Sequence, residues 1–323
     1  MKRGLSLFIG IVAVLMLVIA LGPRPPVDET IRFEAAGIGR DIDAWLADRE
    51  SRVEGLKPGP EKEIVWADPQ SKEKTPLSFI YVHGFSATKW ETRPVSDRVA
   101  EAFGANLFYT RLTGHGADGE ALAQASMNDW VNDMAEAIAI GERTGERIVI
   151  IAMSSGATLA TWASGNARLM SKGAGLVLMS PNYEVQGASL GLLTMPWGST
   201  LLPLAFGETR SWEPHNAEQA KWWTTSYPSA SVLTLAALMK TVSLMNPAEA
   251  TTPALFICSP KDTVTVPKAA EEVYKRWGAP KKLIQIEETG DPSNHVLAGD
   301  ILSPGNTERV VADIVAWVKT LER

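Results

Sequence analysis

Ile148, Val149, Ile150, Ile151 and Ala152 run without a break into Met153, Ser154, Ser155, Gly156 and Ala157, and few folds can use such a junction. Five consecutive apolar residues, most of them β-branched, read as a strand buried on both faces, the kind found in parallel sheets with helices on each side. A helical pattern over 156–170 follows at once. A strand that turns straight into a helix around a serine makes so tight a corner that the flanking residues must be small. Ala152 and Gly156 meet that demand around Ser154, whereas Ser155 would place Met153 in the first small position. The setting singles out Ser154 as a candidate nucleophile, with a simple helix cap as the alternative.

The rest of the chain repeats this alternation. β-type runs at 64–66, 77–82, 107–109, 176–179, 254–258 and 283–286 alternate with helical stretches near 92–103, 127–144, 267–277 and 305–321. This rhythm predicts an α/β fold with a mostly parallel, doubly wound sheet over 41–323. A helix is expected over 41–53, with Ile42, Trp45 and Leu46 on one face, ahead of a Pro-Gly-Pro turn at 58–60. Residues 184–251 break the rhythm. No strand-helix unit is evident there, and Trp197, Trp212, Trp222 and Trp223 accompany Met195, Leu201, Leu202, Leu204 and Phe206.

Composition narrows the function classes. Among 323 residues, 31 are basic and 37 acidic, without long blocks of either sign, so there is no electrostatic footprint for nucleic acid. Cys258 is the single cysteine, which excludes an intramolecular disulfide and any cysteine-cluster metal site. No feature predicts a protein partner.

The N-terminus points to a membrane. Lys2 and Arg3 precede an apolar run over 5–22, and Pro23, Pro25 and Pro26 end any helix. About 18 residues at roughly 1.5 Å each just match a hydrocarbon core. The leading basic residues favour an inside N-terminus and a domain on the periplasmic or extracellular side, against the weaker opposing bias of Arg24. A membrane anchor over 1–22 followed by a Pro-rich tether over 23–40 is the expectation. A cleaved secretory signal is the alternative.

Serine needs a base and a place for the charge that forms on the carbonyl oxygen. His83, Gly84 and Phe85 follow the run 77–82, where an oxyanion loop belongs in a fold of this kind, and the backbone N–H groups of Phe85 and Ser155 are the candidate donors. Four histidines are available. His83 reads as a hydrogen-bonding residue within that loop, His115 sits in a glycine-flanked turn, and His215 lies in the 184–251 segment. His295 alone follows a late strand, in a polar loop before the final helix, which fits the order serine, acid, histidine. Asp262, one strand earlier, is the candidate acid that would orient the imidazole. Asp291 stands too near His295 in sequence, and Glu184 is a minor alternative.

With these pieces in place the chain resembles the monoacylglycerol-lipase-like and carboxylesterase-like branch of the α/β-hydrolases, also called serine aminopeptidase-like. The matching residues are His83 to Ala87, Arg111 to Gly116, Asp129 and Trp130, Ala152 to Gly156, Ser259 to Asp262, and Asn294 with His295. Ala152 replaces the usual glycine, and Ser155 stands where many members carry a bulky residue. The resemblance implies a cofactor-free, metal-free acyl hydrolase and makes 184–251 a cap over the site. Met195, Trp197 and Phe206 become candidate substrate contacts in that cap, and an apolar cap beside a membrane segment points to a lipid-like ester as substrate. An amidase or peptidase with the same three residues, a non-catalytic membrane-tethered binding protein, and a lyase or cofactor-free haloperoxidase on the same fold are the rival readings.

Overall fold

The computed structural model describes residues 2–187 and 189–321, leaving the side chains of 2–8 and 15 aside. The alternating apolar runs become strands. In chain order these are β1 (Glu63–Val65), β2 (Thr75–Val82), β3 (Asn106–Tyr109), β4 (Gly145–Met153) and β5 (Gly173–Met179), then β6 (Thr209–Ser211), β7 (Ser226–Pro228), β8 (Ala254–Cys258) and β9 (Lys281–Gln285). Seven form one sheet in the order β1-β3-β2-β4-β5-β8-β9. Every neighbouring pair is parallel except β1 with β3. β6 and β7 make a separate antiparallel pair.

Helices α1 (Lys2–Ala20) and α2 (Ile42–Ser51) precede the sheet. α3 (Val95–Ala102) follows β2, α4 (Gly119–Gln124) and α5 (Met127–Thr144) join β3 to β4, and α6 (Ser155–Ser164) follows β4. Between β5 and β8 lies an insert carrying α7 (Leu190–Leu193), α8 (Gly198–Phe206), α9 (Ala217–Trp222) and α10 (Val232–Leu244). α11 (Pro267–Arg276) and α12 (Thr307–Val318) follow β8 and β9.

Successive side chains of a strand point to opposite faces, and both faces of this sheet are covered. Ile80, Val82, Ile148, Ile150, Leu176, Leu178 and Phe256 pack with α5, α6 and α11. Phe79, Tyr81, Val149, Ile151, Val177, Leu255 and Ile257 pack on the other side with Val95 and Val99 of α3 and Val310 and Ile314 of α12. Burial on both sides is why the central strands read as unbroken apolar runs.

Polar residues hid some boundaries. β4 starts at Gly145, ahead of the apolar run, because Glu146 and Arg147 face solvent. β9 starts at Lys281 on an edge strand, where lysine discourages further pairing. The six-residue α4 was not expected, although Asp118 caps it by accepting the Ala121 N–H at 2.9 Å. The β6–β7 pair is likewise new in a segment where sequence offered no strand.

Two N-terminal expectations meet the structure here. Within the expected tether over 23–40, residues 28–33 lie against α5. Asn128 and Asn132 of α5 hold the backbone of Asp28, Thr30, Arg32 and Phe33, and Trp162 donates to Glu29 at 2.7 Å. Among the described residues no helix is long and apolar enough to cross a membrane. The expected spanning anchor over 5–22 therefore has no support in α1, and its side chains at 5–8 and 15 lie outside the described residues.

Candidate active site

Five loops at the C-terminal edge of the parallel sheet converge on one cavity, the edge at which open α/β sheets bind ligands. The first element is the corner after β4. Ser154 takes φ 53° and ψ −118°, a sparsely populated positive-φ conformation that costs a non-glycine residue about 1–3 kcal/mol. Its backbone N–H donates to Met179 O at 2.9 Å, and its carbonyl accepts from Thr158 and Asn182, which pins the turn. Gly156 explains the small-residue rule: a Cβ there would press on Val82 O and stand 2.5 Å from His83 O. Ala152 fits without difficulty in the sheet, fully buried between Val82 and Leu178.

Ser154 Oγ donates to His295 Nε2 at 2.9 Å, and His295 Nδ1 donates to Asp262 Oδ2 at 2.7 Å. The structure thus brings together the three side chains picked out by sequence order, with exposures of only 5%, 8% and 5% for Ser154, His295 and Asp262. Asp262 follows β8, and its carboxylate also accepts from Val264 N–H, Thr265 N–H and Thr265 Oγ1. Burial opposes its charge, but the hydrogen bond and charge of His295, with the Thr265 donors, outweigh burial and hold the carboxyl below its usual value. An ionised Asp262 keeps the proton on Nδ1 and leaves Nε2 free to accept. Burial likewise disfavours the charged imidazole, yet Asp262, then Glu91 and Asp291, outweigh it and raise His295 above the ordinary histidine value.

The histidine loop is braced from beneath. Asp291 Oδ2 accepts the N–H groups of His295 and Val296 at 3.0 and 2.8 Å, and Ser180 Oγ donates to His295 O at 2.7 Å. Asp291 therefore supports the backbone of His295 and does not meet its ring.

His83 and His115 are enclosed elsewhere. His83 Nδ1 donates to Gly84 O and Nε2 accepts from Leu112 N–H, so the ring ties the loop after β2 to the loop after β3. Burial lowers its pKa to about 4, which keeps it neutral. Phe85 packs edge-on against His115, Trp130 and Tyr227. The N–H groups of Phe85 and Ser155 meet no acceptor among the described residues.

The cavity above Ser154 has a volume of about 770 Å³. Leu193, Leu202, Phe206, Val232, Leu235 and Met239 of the insert supply an apolar wall. Arg210, Glu213, His215 and Gln219, together with Asp291 and Ser293, supply a polar one. Of the three proposed substrate contacts, Phe206 lines this cavity and Met195 and Trp197 do not. Trp197 turns to the N-terminal segment, where its N–H groups donate to Pro23 O and Val18 O and its ring covers Gly22. Glu91 also lines the cavity, and no local sequence pattern marks it. Among the described residues no group of three His, Cys, Asp or Glu side chains could hold a metal ion.

A family model described as serine aminopeptidase, S33, matches residues 75–290, well over half of the chain. The chain belongs to this family of α/β-hydrolases. The chain is 26% identical over 245 residues to a thermostable monoacylglycerol lipase of Bacillus sp. (strain H-257), covering 75% of this chain and 92% of that one. Among solved structures, a metagenome-derived lipolytic enzyme of the LipS and LipT pair superposes with a TM-score of 0.65 at 22% identity, covering 82% of this chain and 99% of that one. A monoacylglycerol lipase of Paleococcus ferrophilus gives a TM-score of 0.60 at 14% identity, covering 80% and 98%. These structural likenesses carry the α/β-hydrolase fold.

Proposed function

We propose that this carboxylic ester hydrolase acts through an acyl-enzyme on Ser154 and takes lipid-like or medium-chain acyl esters, such as a monoacylglycerol or a lysophospholipid. The observation that carries the reading is the Ser154–His295–Asp262 chain of hydrogen bonds at the floor of a cavity with one apolar wall. His295 Nε2 takes the Ser154 proton as Oγ attacks the ester carbonyl, and Asp262 stabilises the imidazolium. The oxyanion goes to the N–H groups of Phe85 and Ser155, the latter at the first turn of α6, where the helix dipole adds positive potential. The imidazolium then gives its proton to the leaving alcohol, and water, activated by the same His295, releases the acid.

In this reading the insert is a cap. Its apolar wall from α7, α8 and α10 suits an acyl chain, and its polar wall suits the alcohol part of the ester. An amide substrate held by its amine would need free carboxylates. Asp291 is committed to the Ser293, His295 and Val296 donors and Glu91 to Gly84, which leaves the exposed Glu213 as the cavity carboxylate that could hold such an amine, so turnover of a p-nitroanilide by wild type and Glu213→Gln tests the amide reading. Association with a lipid surface through α1 belongs to the same proposal, because Ile9, Ile11, Val14, Met16, Leu17 and Ile19 are all exposed. Removing residues 1–22 should release the protein from membranes. Unchanged fractionation would contradict that part.

Turnover of p-nitrophenyl esters from acetate to laurate tests the substrate class. A rise in kcat/KM to a medium chain length is expected. A steady fall beyond acetate would overturn the lipid-like reading.

A further inference from the structure

Gly84 lies in the oxyanion loop with no room for a side chain: a Cβ there would stand 2.7 Å from Glu91 Oε1 and 3.1 Å from Ser154 Cβ. A bare glycine is a swivel, so a loop that must aim the next N–H at a reacting carbonyl needs an outside restraint. Glu91 provides one. It follows Thr88 in a short 3₁₀ turn, is 3% exposed, and its Oε2 accepts the Gly84 N–H at 2.7 Å and the Tyr81 hydroxyl at 3.2 Å. The carboxyl shares the cavity wall with Ser154 and His295.

The ionisable groups that act on Glu91 are Tyr81 from β2, and His295 and Asp291 from the loop after β9. Cations on its own segment turn elsewhere: Lys89 pairs with Glu63, and Arg93 with Asp97 and Glu63. Burial raises Glu91 to about 7, against the opposing pull of the Gly84 N–H and His295. It can therefore change charge in the range in which the enzyme would work, and its carboxylate in turn favours the imidazolium of His295.

We propose that Glu91 is a positioning residue: its carboxyl fixes Gly84 so that the Phe85 N–H faces the reacting carbonyl, and its charge biases the protonation of His295. The inference rests on the Ser154 mechanism above and adds a second titrating group to it. The free enzyme then loses protons from a coupled Glu91–His295 pair, and its acid limb belongs to both.

Two variants separate the roles. Glu91→Gln keeps an acceptor for the Gly84 N–H and removes the charge. Glu91→Ala removes both. In the full-length protein, His295 would be titrated by the NMR signal of its Cε1 proton, alongside pH profiles of kcat/KM on a p-nitrophenyl ester. In Glu91→Gln the imidazole should titrate about half a unit or more lower, with the acid limb moving by a similar amount. In Glu91→Ala the plateau kcat should fall about tenfold, with KM changed less. Imidazole titrations that superimpose for wild type and Glu91→Gln, or a Glu91→Ala plateau equal to wild type, would overturn the proposal. The titration needs no turnover. Absence of Ser154-dependent turnover would therefore count against the mechanism, and the imidazole signal would still decide the charge coupling.

Discussion

Replacing Asp262 by asparagine should disable the enzyme through a single proton. Asp262 Oδ1 accepts two backbone N–H groups, from Val264 at 2.7 Å and Thr265 at 2.9 Å, while Oδ2 accepts the Thr265 hydroxyl and His295 Nδ1–H. An amide nitrogen on the Oδ1 side would face two donors and leave both unpaired, at about 1–3 kcal/mol each. The nitrogen therefore goes to the Oδ2 side, where the Thr265 hydroxyl can turn to accept. His295 Nδ1 must then accept as well, which moves the ring proton to Nε2, and Nε2–H cannot take a proton from Ser154. A wrong tautomer of this kind lowers kcat by about 10⁴-fold, or about 5 kcal/mol of barrier. Turnover of p-nitrophenyl butyrate at pH 8 and the rate of fluorophosphonate labelling would measure the loss, with the melting curve showing that the variant is folded. A folded Asp262→Asn within tenfold of wild type would refute the argument.

In the proposed mechanism His295 acts as base only when neutral, and its pKa is raised above 6.5, so the acid limb of kcat/KM should have its midpoint above pH 6.5, and a midpoint at or below 6 would contradict this. Gly156→Val should lower stability by about 2 kcal/mol or more, since the new side chain meets the carbonyls of Val82 and His83, and the melting temperature checks it. Arg111→Ala leaves the buried Glu50 without its two-pronged partner at 2.8 and 2.9 Å and should cost about 3–5 kcal/mol, read from denaturant unfolding. Burial opposes the charge of Glu50, but Arg111 and the Lys62 N–H outweigh it and depress its pKa below 4.5. That stabilisation is complete above the unfolded value of 4.5 and is lost as pH falls through the lower folded value. Wild type should therefore lose more stability on acidification than Glu50→Gln. Met239→Trp should fill the apolar wall and shift the preferred acyl chain to a shorter one in the p-nitrophenyl ester series.

What the sequence made legible follows from where burial acts. The central strands are covered on both faces, so β2, β4, β5 and β8 stand out as apolar runs, whereas the exposed Glu146, Arg147 and Lys282 and the half-buried Lys281 blur the ends of β4 and β9. Ser154 was readable because a tight corner restricts its neighbours, and His295 and Asp262 because each follows a strand at the working edge of the sheet. Local pattern says little about a side chain whose partner is far along the chain. Glu91 acts on a loop seven residues back, and Asp291 on the backbone four and five residues ahead, with no periodic signal for either. The insert misled for the same reason. Its aromatic residues look alike in sequence, yet Phe206 faces the cavity and Trp197 covers Gly22.

The central claim is that Ser154 is the nucleophile, and labelling the folded protein with a fluorescent fluorophosphonate alongside Ser154→Ala tests it most directly. The account predicts one label on the wild type and none on the variant, with ester turnover lower by about 10³-fold or more. A folded wild type that takes no label, or a Ser154→Ala variant that labels and turns over ester as the wild type does, would contradict it.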